Sequence, residues 1–192
     1  MKEPQEKRRD GLPVWTVGHS TRTLVELVTV LRAYDIELIA DVRRFPGSRR
    51  LPQFGAIELE QGLDTSGIGY KWFPSLGGRR QADPNSPNGA WTNAGFRGYA
   101  DHTATDEFAE GLQDLLVLAG GMRTAVMCAE VLWWRCHRRI ISDVLVSVGY
   151  EVVHIRDEAV SENHKLSPPA RMVDGHLSYE AEPTLQLGLA ID

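Results

Sequence analysis

The sequence predicts a single three-layer α/β/α domain built on a mainly parallel sheet, and three observations carry that expectation. Residues 13–46 read as strand, helix, strand, a unit that forces parallel strands and a right-handed crossover. Residues 124–155, TAVMCAEVLWWRCHRRIISDVLVSVGYEVVHI, repeat the scheme with a polar loop between strand end and helix start. Predicted strands also end in short polar clusters: Gly18-His19-Ser20, Asp41-Val42-Arg43-Arg44, Ser75-Leu76-Gly77-Gly78 and Cys128-Ala129-Glu130. In an open, Rossmann-like parallel sheet these clusters meet at the carboxyl edge, where ligands bind.

Taken in order, residues 1–12 are charged and aperiodic and are expected to form a mobile tail. Val14 to Val17 reads as the first strand. A helix over 24–34 places Leu24, Leu27, Val28 and Leu31 on one face, and Thr23 with Glu26 has the spacing of a capping box. The second strand covers 37–42, a short helix 54–65, and the third strand 69–73. Residues 79–98 have no period and are rich in Gly, Pro and Asn, which predicts a long loop: a lid, a binding loop or a disordered segment. Thr105 precedes a helix over 106–118 that carries Phe108, Leu112, Leu115 and Leu116. Thr124 to Cys128 is a buried strand. Residues 140–148 form a helix with Ile140, Ile141, Val144, Leu145 and Val148 on one face, stopped by Gly149, and 150–155 is the last strand. The domain thus occupies 13–156. Beyond Asp157 the period is lost and Pro168-Pro169 intervenes, so 157–192 is expected to be an extended or disordered tail.

The 192 residues suffice for one domain with a sizeable core, and 42% hydrophobic with 24% charged residues is ordinary for a globular protein. No apolar run reaches the roughly 18 residues of a membrane span, and the charged start lacks the apolar core of an export signal. The expectation is a cytoplasmic protein without a membrane partner, its two cysteines present as thiols. A net charge of −5 argues against a general nucleic-acid coat. Yet 17 of the 21 basic residues are Arg, several of them doubled, as at Arg43-Arg44, Arg49-Arg50, Arg79-Arg80 and Arg138-Arg139. Arginine is the better fork for phosphate or carboxylate.

The candidate site residues follow from these edges. Glu130, just past an apolar strand, suits a general base, an acceptor for a base edge or ribose hydroxyl, or a partner for Arg43. Cys128 at a strand end suggests a nucleophile favoured by nearby Arg charge, against the bland reading of a buried thiol. Sulfur-transfer enzymes and cysteine phosphatases close a tight loop with an Arg a few residues after the cysteine. Here Arg135 and Arg138 stand farther on, and the loop has no Gly. Cys136, His137 and Arg138 open the last helix, where backbone N–H groups and Arg138 attract an anion. His19 is an acid/base or phosphate-contact candidate, Ser20 a helix cap or ligand contact, and Asp41 an orienting partner for Arg43 or His19. Arg44 and the Gly77-Gly78 pair complete the anion-binding set. Trp133 or Trp134 could stack on a base. The spacing of Cys128, Cys136 and His137 matches no common zinc pattern, so no metal site is expected.

The chain resembles the domain-of-unknown-function family 488, a group of small bacterial and archaeal proteins. The resemblance rests on Thr16-Val-Gly-His-Ser20, Asp41-Val-Arg43, Gly67-Ile-Gly-Tyr70 leading to Leu76-Gly-Gly78, Phe96-Arg-Gly-Tyr-Ala100, Met127-Cys-Ala-Glu130, Cys136-His-Arg138 and Val153-His-Ile155. It covers about 13–156, implies an α/β domain in which these motifs matter, and brings no reaction with it.

The functional expectation is an enzyme acting on a phosphorylated or nucleotide-like substrate, by hydrolysis or group transfer at a nucleoside. An alternative is a non-catalytic single-stranded nucleic-acid-binding module, and a third is a redox or metal sensor built on Cys128 and Cys136. The implied partner is an anionic small molecule or a nucleic acid. The chain has neither a Walker sequence nor a G-x-G-x-x-G, so ATP- or NAD-dependent chemistry has no direct support and no cofactor is indicated.

Overall fold

The computed structural model describes residues 11–47 and 50–181. The elements are β1 (Val14–Gly18), α1 (Leu24–Ala33), β2 (Leu38–Asp41), α2 (Ala56–Asp64), β3 (Gly69–Trp72), α3 (Ala94–His102), α4 (Asp106–Ala119), β4 (Thr124–Cys128), α5 (Arg138–Ser147) and β5 (Val152–Ile155). Three short strands follow, β6 (Ser161–Asn163), β7 (Arg171–Val173) and β8 (His176–Ser178). Six strands make one sheet in the order β3-β2-β4-β1-β5-β6, parallel throughout except for the antiparallel edge β6.

Alternation along each strand sorts the core into two layers. Trp15, Val17, Ile39 and Met127 face α1 and α2, packing with Leu27, Leu31, Leu59 and Leu63. Val14, Ala40, Val126 and Cys128 face the opposite layer, with Tyr99, Phe108, Leu115, Ile140 and Leu145 from α3, α4 and α5. The chain therefore has the expected three-layer, Rossmann-like α/β fold. After β1 it departs toward one layer and after β4 toward the other, although β1 and β4 are neighbours. This reversal opens a crevice at the carboxyl edge.

Local chemistry explains the element ends. Thr23 caps α1 in the anticipated capping box, with Oγ1 accepting from the Glu26 N–H at 3.2 Å and the Glu26 carboxylate accepting from the Thr23 N–H at 2.6 Å. Thr105 caps α4 through its hydroxyl alone, Oγ1 accepting from the Phe108 N–H at 3.2 Å.

Two expectations differ from what is seen. The loop expected over 79–98 ends early, because α3 begins at Ala94 with Asn93 Oδ1 accepting from the Phe96 N–H at 3.1 Å. Gly95 and Gly98 lower the helix propensity there and mask the signal. Gly98 is nevertheless required, since a Cβ on it would lie 2.5 Å from the Ala82 nitrogen where the loop crosses the helix. The rest of that loop is pinned by Asp101, whose carboxylate accepts from the Asp83 N–H, the Ser86 hydroxyl and the Asn88 amide. The segment after Asp157 carries β6 and the β7–β8 hairpin and sends Tyr179 into the core beside Trp91. Of the expected N-terminal tail, residues 1–10 lie outside those described, as does Arg49; so do residues 182–192 of the expected C-terminal tail.

Candidate functional site

The crevice at the carboxyl edge is a cavity of about 690 Å³. Of the residues singled out by sequence, Glu130, His19, Cys128, Ser20, Arg43, Arg44, Cys136, His137 and Gly78 line it. Asp41, Arg138, Gly77, Trp133 and Trp134 do not. The wall also includes Phe45, Arg79, Asn93, Phe96, Tyr99 and Arg135.

Arg43 anchors one side. Asp41 is fully buried and chelates it: Nε donates to Oδ1 at 2.9 Å and to Oδ2 at 3.0 Å, and Nη2 donates to Oδ2 at 2.5 Å. The Tyr70 hydroxyl donates to the same Oδ2 at 2.8 Å, and burial followed by the Asp41 charge pushes that phenol well up. Arg43 Nη1 donates to the Phe54 carbonyl at 2.8 Å and lies 3.3 Å from His19 Nε2. Since a guanidinium only donates, His19 Nε2 is an acceptor, and Nδ1 carries the proton it gives to the Ser20 carbonyl at 2.9 Å. Burial, then the Arg43 charge, lower the His19 pKa to about 4, so the ring is neutral at neutral pH. It stacks on Phe54 with centroids 4.0 Å apart.

Ser20 is not the helix cap, a role taken by Thr23. It sits at φ 50°, a left-handed conformation costly for a residue with a side chain. That turn lets the His19 and Ser20 N–H groups reach the carbonyls of Cys128 and Ala129, at 3.0 and 2.8 Å, so the loops after β1 and β4 run together. The contact is close enough that a Cβ at Gly18 would lie 1.8 Å from the Glu130 carbonyl oxygen.

The opposite side is organised by Arg138, which is 1% exposed and turned inward. Nε donates to Cys128 Sγ at 3.0 Å, Nη1 to Thr16 Oγ1 at 3.1 Å, and Nη2 to the carbonyls of Glu130 and Val131. In this arrangement the Arg138 guanidinium holds the β4–α5 loop. Beyond Thr16 a buried chain continues: His154 Nδ1 at 2.7 Å, His164 Nδ1 from His154 Nε2 at 2.8 Å, and Asp143 Oδ1 from His164 Nε2 at 2.8 Å. Burial first, then the His164 and Arg138 charges, lower the His154 pKa to about 2. Asp143 also accepts from the Ser167 N–H at 2.8 Å and the Tyr179 hydroxyl at 2.9 Å.

Trp133 covers this chain and is not a platform for a base. Its ring stacks on His154 at 4.1 Å and 9°, and Nε1 donates to Glu162. Trp134 packs edge-on against Trp133. Gly77 and Gly78 permit close packing: added Cβ atoms would lie 2.8 Å from Arg44 Cα and 2.7 Å from His137 Nδ1. His137 donates from Nε2 to the Val42 carbonyl at 2.9 Å, leaving Nδ1 as an acceptor 3.5 Å from Cys136 Sγ. Glu130 is exposed, and among the described residues its carboxylate has no cation partner, so it does not pair with Arg43. It is the one carboxylate in a wall that also carries Arg43, Arg44, Arg79 and Arg135.

These features define a doubly wound α/β protein with an arginine-rich cavity at its switch point. The model of the family described as Domain of unknown function DUF488 matches residues 23–145, more than half of the chain, which therefore belongs to that family. Comparison with curated proteins and with solved structures gave no match. Among the described residues no helix is long and apolar enough to cross a membrane, and no cluster of three His, Cys, Asp or Glu could hold a metal.

Proposed function

We propose that this protein is an enzyme acting on a phosphorylated or nucleotide-like substrate, by hydrolysis or group transfer. The observation that supports it is the charge of the cavity: Arg43, Arg44, Arg79 and Arg135 face one carboxylate, in a chain of net charge −5. Such concentration of guanidinium groups in a walled crevice favours a multiply charged anion.

Arg43 is held in place by Asp41 and borders the cavity, where its guanidinium supplies positive charge for the ligand. Arg44, Arg79 and Arg135 at the mouth supply further charge. Glu130 takes the general acid/base role, being the carboxylate of the wall and unpaired. His19, neutral and committed to Arg43 and Ser20, positions the guanidinium and moves no proton in this reading. Phe96 and the 66% exposed Phe45 offer the aromatic faces that the tryptophans do not.

Phe45, beside the Arg44 guanidinium at 5.8 Å, also suits single-stranded nucleic acid, which keeps the binding module as a second reading. Calorimetric titration with inorganic phosphate, a nucleoside monophosphate and a short single strand, each at two salt concentrations, separates the two. Saturable mononucleotide binding with weak salt dependence, and turnover lost in Glu130→Gln with binding kept, is the enzyme result. Oligonucleotide binding with a steep salt slope and indifference to Glu130→Gln is the module result. Absence of binding by all three ligands would overturn both.

A further inference from the structure

Nothing in the anion-binding reading uses the two cysteines, yet both border the cavity. They are thiols, 3% and 6% exposed, and both are gripped by one residue: Arg138 donates from Nε to Cys128 Sγ at 3.0 Å and from its backbone N–H to Cys136 Sγ at 3.4 Å. The Glu130 N–H adds a donor to Cys128 Sγ at 3.3 Å. Two cysteines from different segments are thus brought to one residue beside the cavity, Cys128 to its guanidinium and Cys136 to its backbone N–H. We propose that Cys128 and Cys136 are a thiol redox couple, which a small hydroperoxide entering the cavity oxidises to an intramolecular disulfide.

The two sulfurs have distinct roles. Burial pushes the Cys136 thiol up, but the hydrogen bond from Cys128 and the Arg138 charge outweigh it and bring it down to about 7. Burial, then the hydrogen bond to Cys136, pushes the Cys128 thiol well up. Cys136 is therefore the attacking thiolate and Cys128 the resolving thiol. His137 Nδ1, fixed as an acceptor by the bond from Nε2 to Val42, lies where the Cys136 proton leaves.

The steps balance. The Cys136 thiolate attacks one peroxide oxygen, an S–O bond forms, the O–O bond breaks, and the leaving oxygen takes up the proton that the thiol gave. The product is a sulfenic acid and an alcohol, or water when the oxidant is hydrogen peroxide. Cys128, giving up its proton, then attacks Cys136 Sγ: the S–S bond forms, the S–O bond breaks and water leaves. Two thiols lose two electrons and the hydroperoxide gains them. Closure ties down residues 129–135, the loop that carries Glu130 and Arg135 into the cavity.

The test is intact mass and thiol titration of the native chain after brief exposure to hydrogen peroxide, with no anionic ligand present, so that its outcome is independent of the anion site. The expected result is loss of both alkylatable thiols under denaturing conditions, a mass lower by two hydrogens, a 128–136 cross-linked peptide, and full reversal by dithiothreitol. Cys128→Ser should stop at a single added oxygen that a dimedone reagent traps. Retention of both thiols under exposure that consumes free cysteine, addition of two or three oxygens to either sulfur, or only a disulfide between chains would overturn the couple. The wild-type result decides alone if the variant does not fold.

Discussion

The two buried arginines of the carboxyl edge solve one problem differently. Arg43, on the α1–α2 side, is neutralised by a carboxylate two residues away and borders the cavity. Arg138, on the α5 side, has no carboxylate within reach; its guanidinium is met by a sulfur, a hydroxyl and two carbonyls. A buried carboxylate, Asp143, lies at the far end of the Thr16–His154–His164 chain. A short-range pair neutralises its cation on the spot, whereas a cation spread over neutral acceptors ties several segments together. The loop carrying Glu130 depends on the second kind.

The sharpest break of that contrast is Arg138→Ala, which strands Thr16, Cys128 and two loop carbonyls. It should cost about 3–5 kcal/mol in urea unfolding, the range for removing one partner from a buried charged network. Arg138→Lys should recover only a minor part of it, because one ammonium cannot reproduce the fork. Asp41→Asn should come next, at about 2–3 kcal/mol, by removing the charge that compensates Arg43. It should also weaken phosphate binding, as the guanidinium is no longer aimed; unchanged affinity would detach Arg43 from the site.

A pH series sharpens the same comparison. His19 stays neutral in the fold down to about 4, while the unfolded ring protonates near its ordinary 6.5. Between these values the unfolded chain binds the extra proton, so stability falls as pH falls through that window and is fully present above it. Replacing His19 by Asn should flatten, without abolishing, the decline in urea midpoint, since burial also lowers His102 and His137. The smallest effect on stability belongs to Arg135→Ala, within about 0.5 kcal/mol because the residue is exposed. Its phosphate affinity should still fall roughly five- to ten-fold, the size of one charge-assisted contact. A large loss of stability there would mean that Arg135 is scaffold too.

How far the sequence could be read follows from the range of each interaction. The helices with local caps and a clean period, α1 and α4, were visible because Thr23 with Glu26, and Thr105 with Phe108, lie within one turn of each other. Convergence of the strand ends was visible because parallel order imposes it. Helix α3 was hidden by its two glycines, one of which, Gly98, is required by a backbone more than ten residues away. The β7–β8 hairpin did carry a local signal that went unused, Asp174-Gly175 in left-handed conformation between short strands. Side-chain direction was the deeper limit. Arg138 and Arg43 look alike in sequence; only the parity of their neighbours on β4 and β2 sends one into each layer. His154, inside an otherwise apolar strand, was the available hint of a buried polar chain. Its partners Thr16 and His164 come from other segments and could not be paired by spacing.

Asp143 has a consequence for the order in which the chain is made. Its partners stand 21, 24 and 36 positions later, at His164, Ser167 and Tyr179. On a ribosome, β1 to β5 and α5 emerge before any of them, so the full set of hydrogen bonds to Asp143 can form only once Tyr179 has been made.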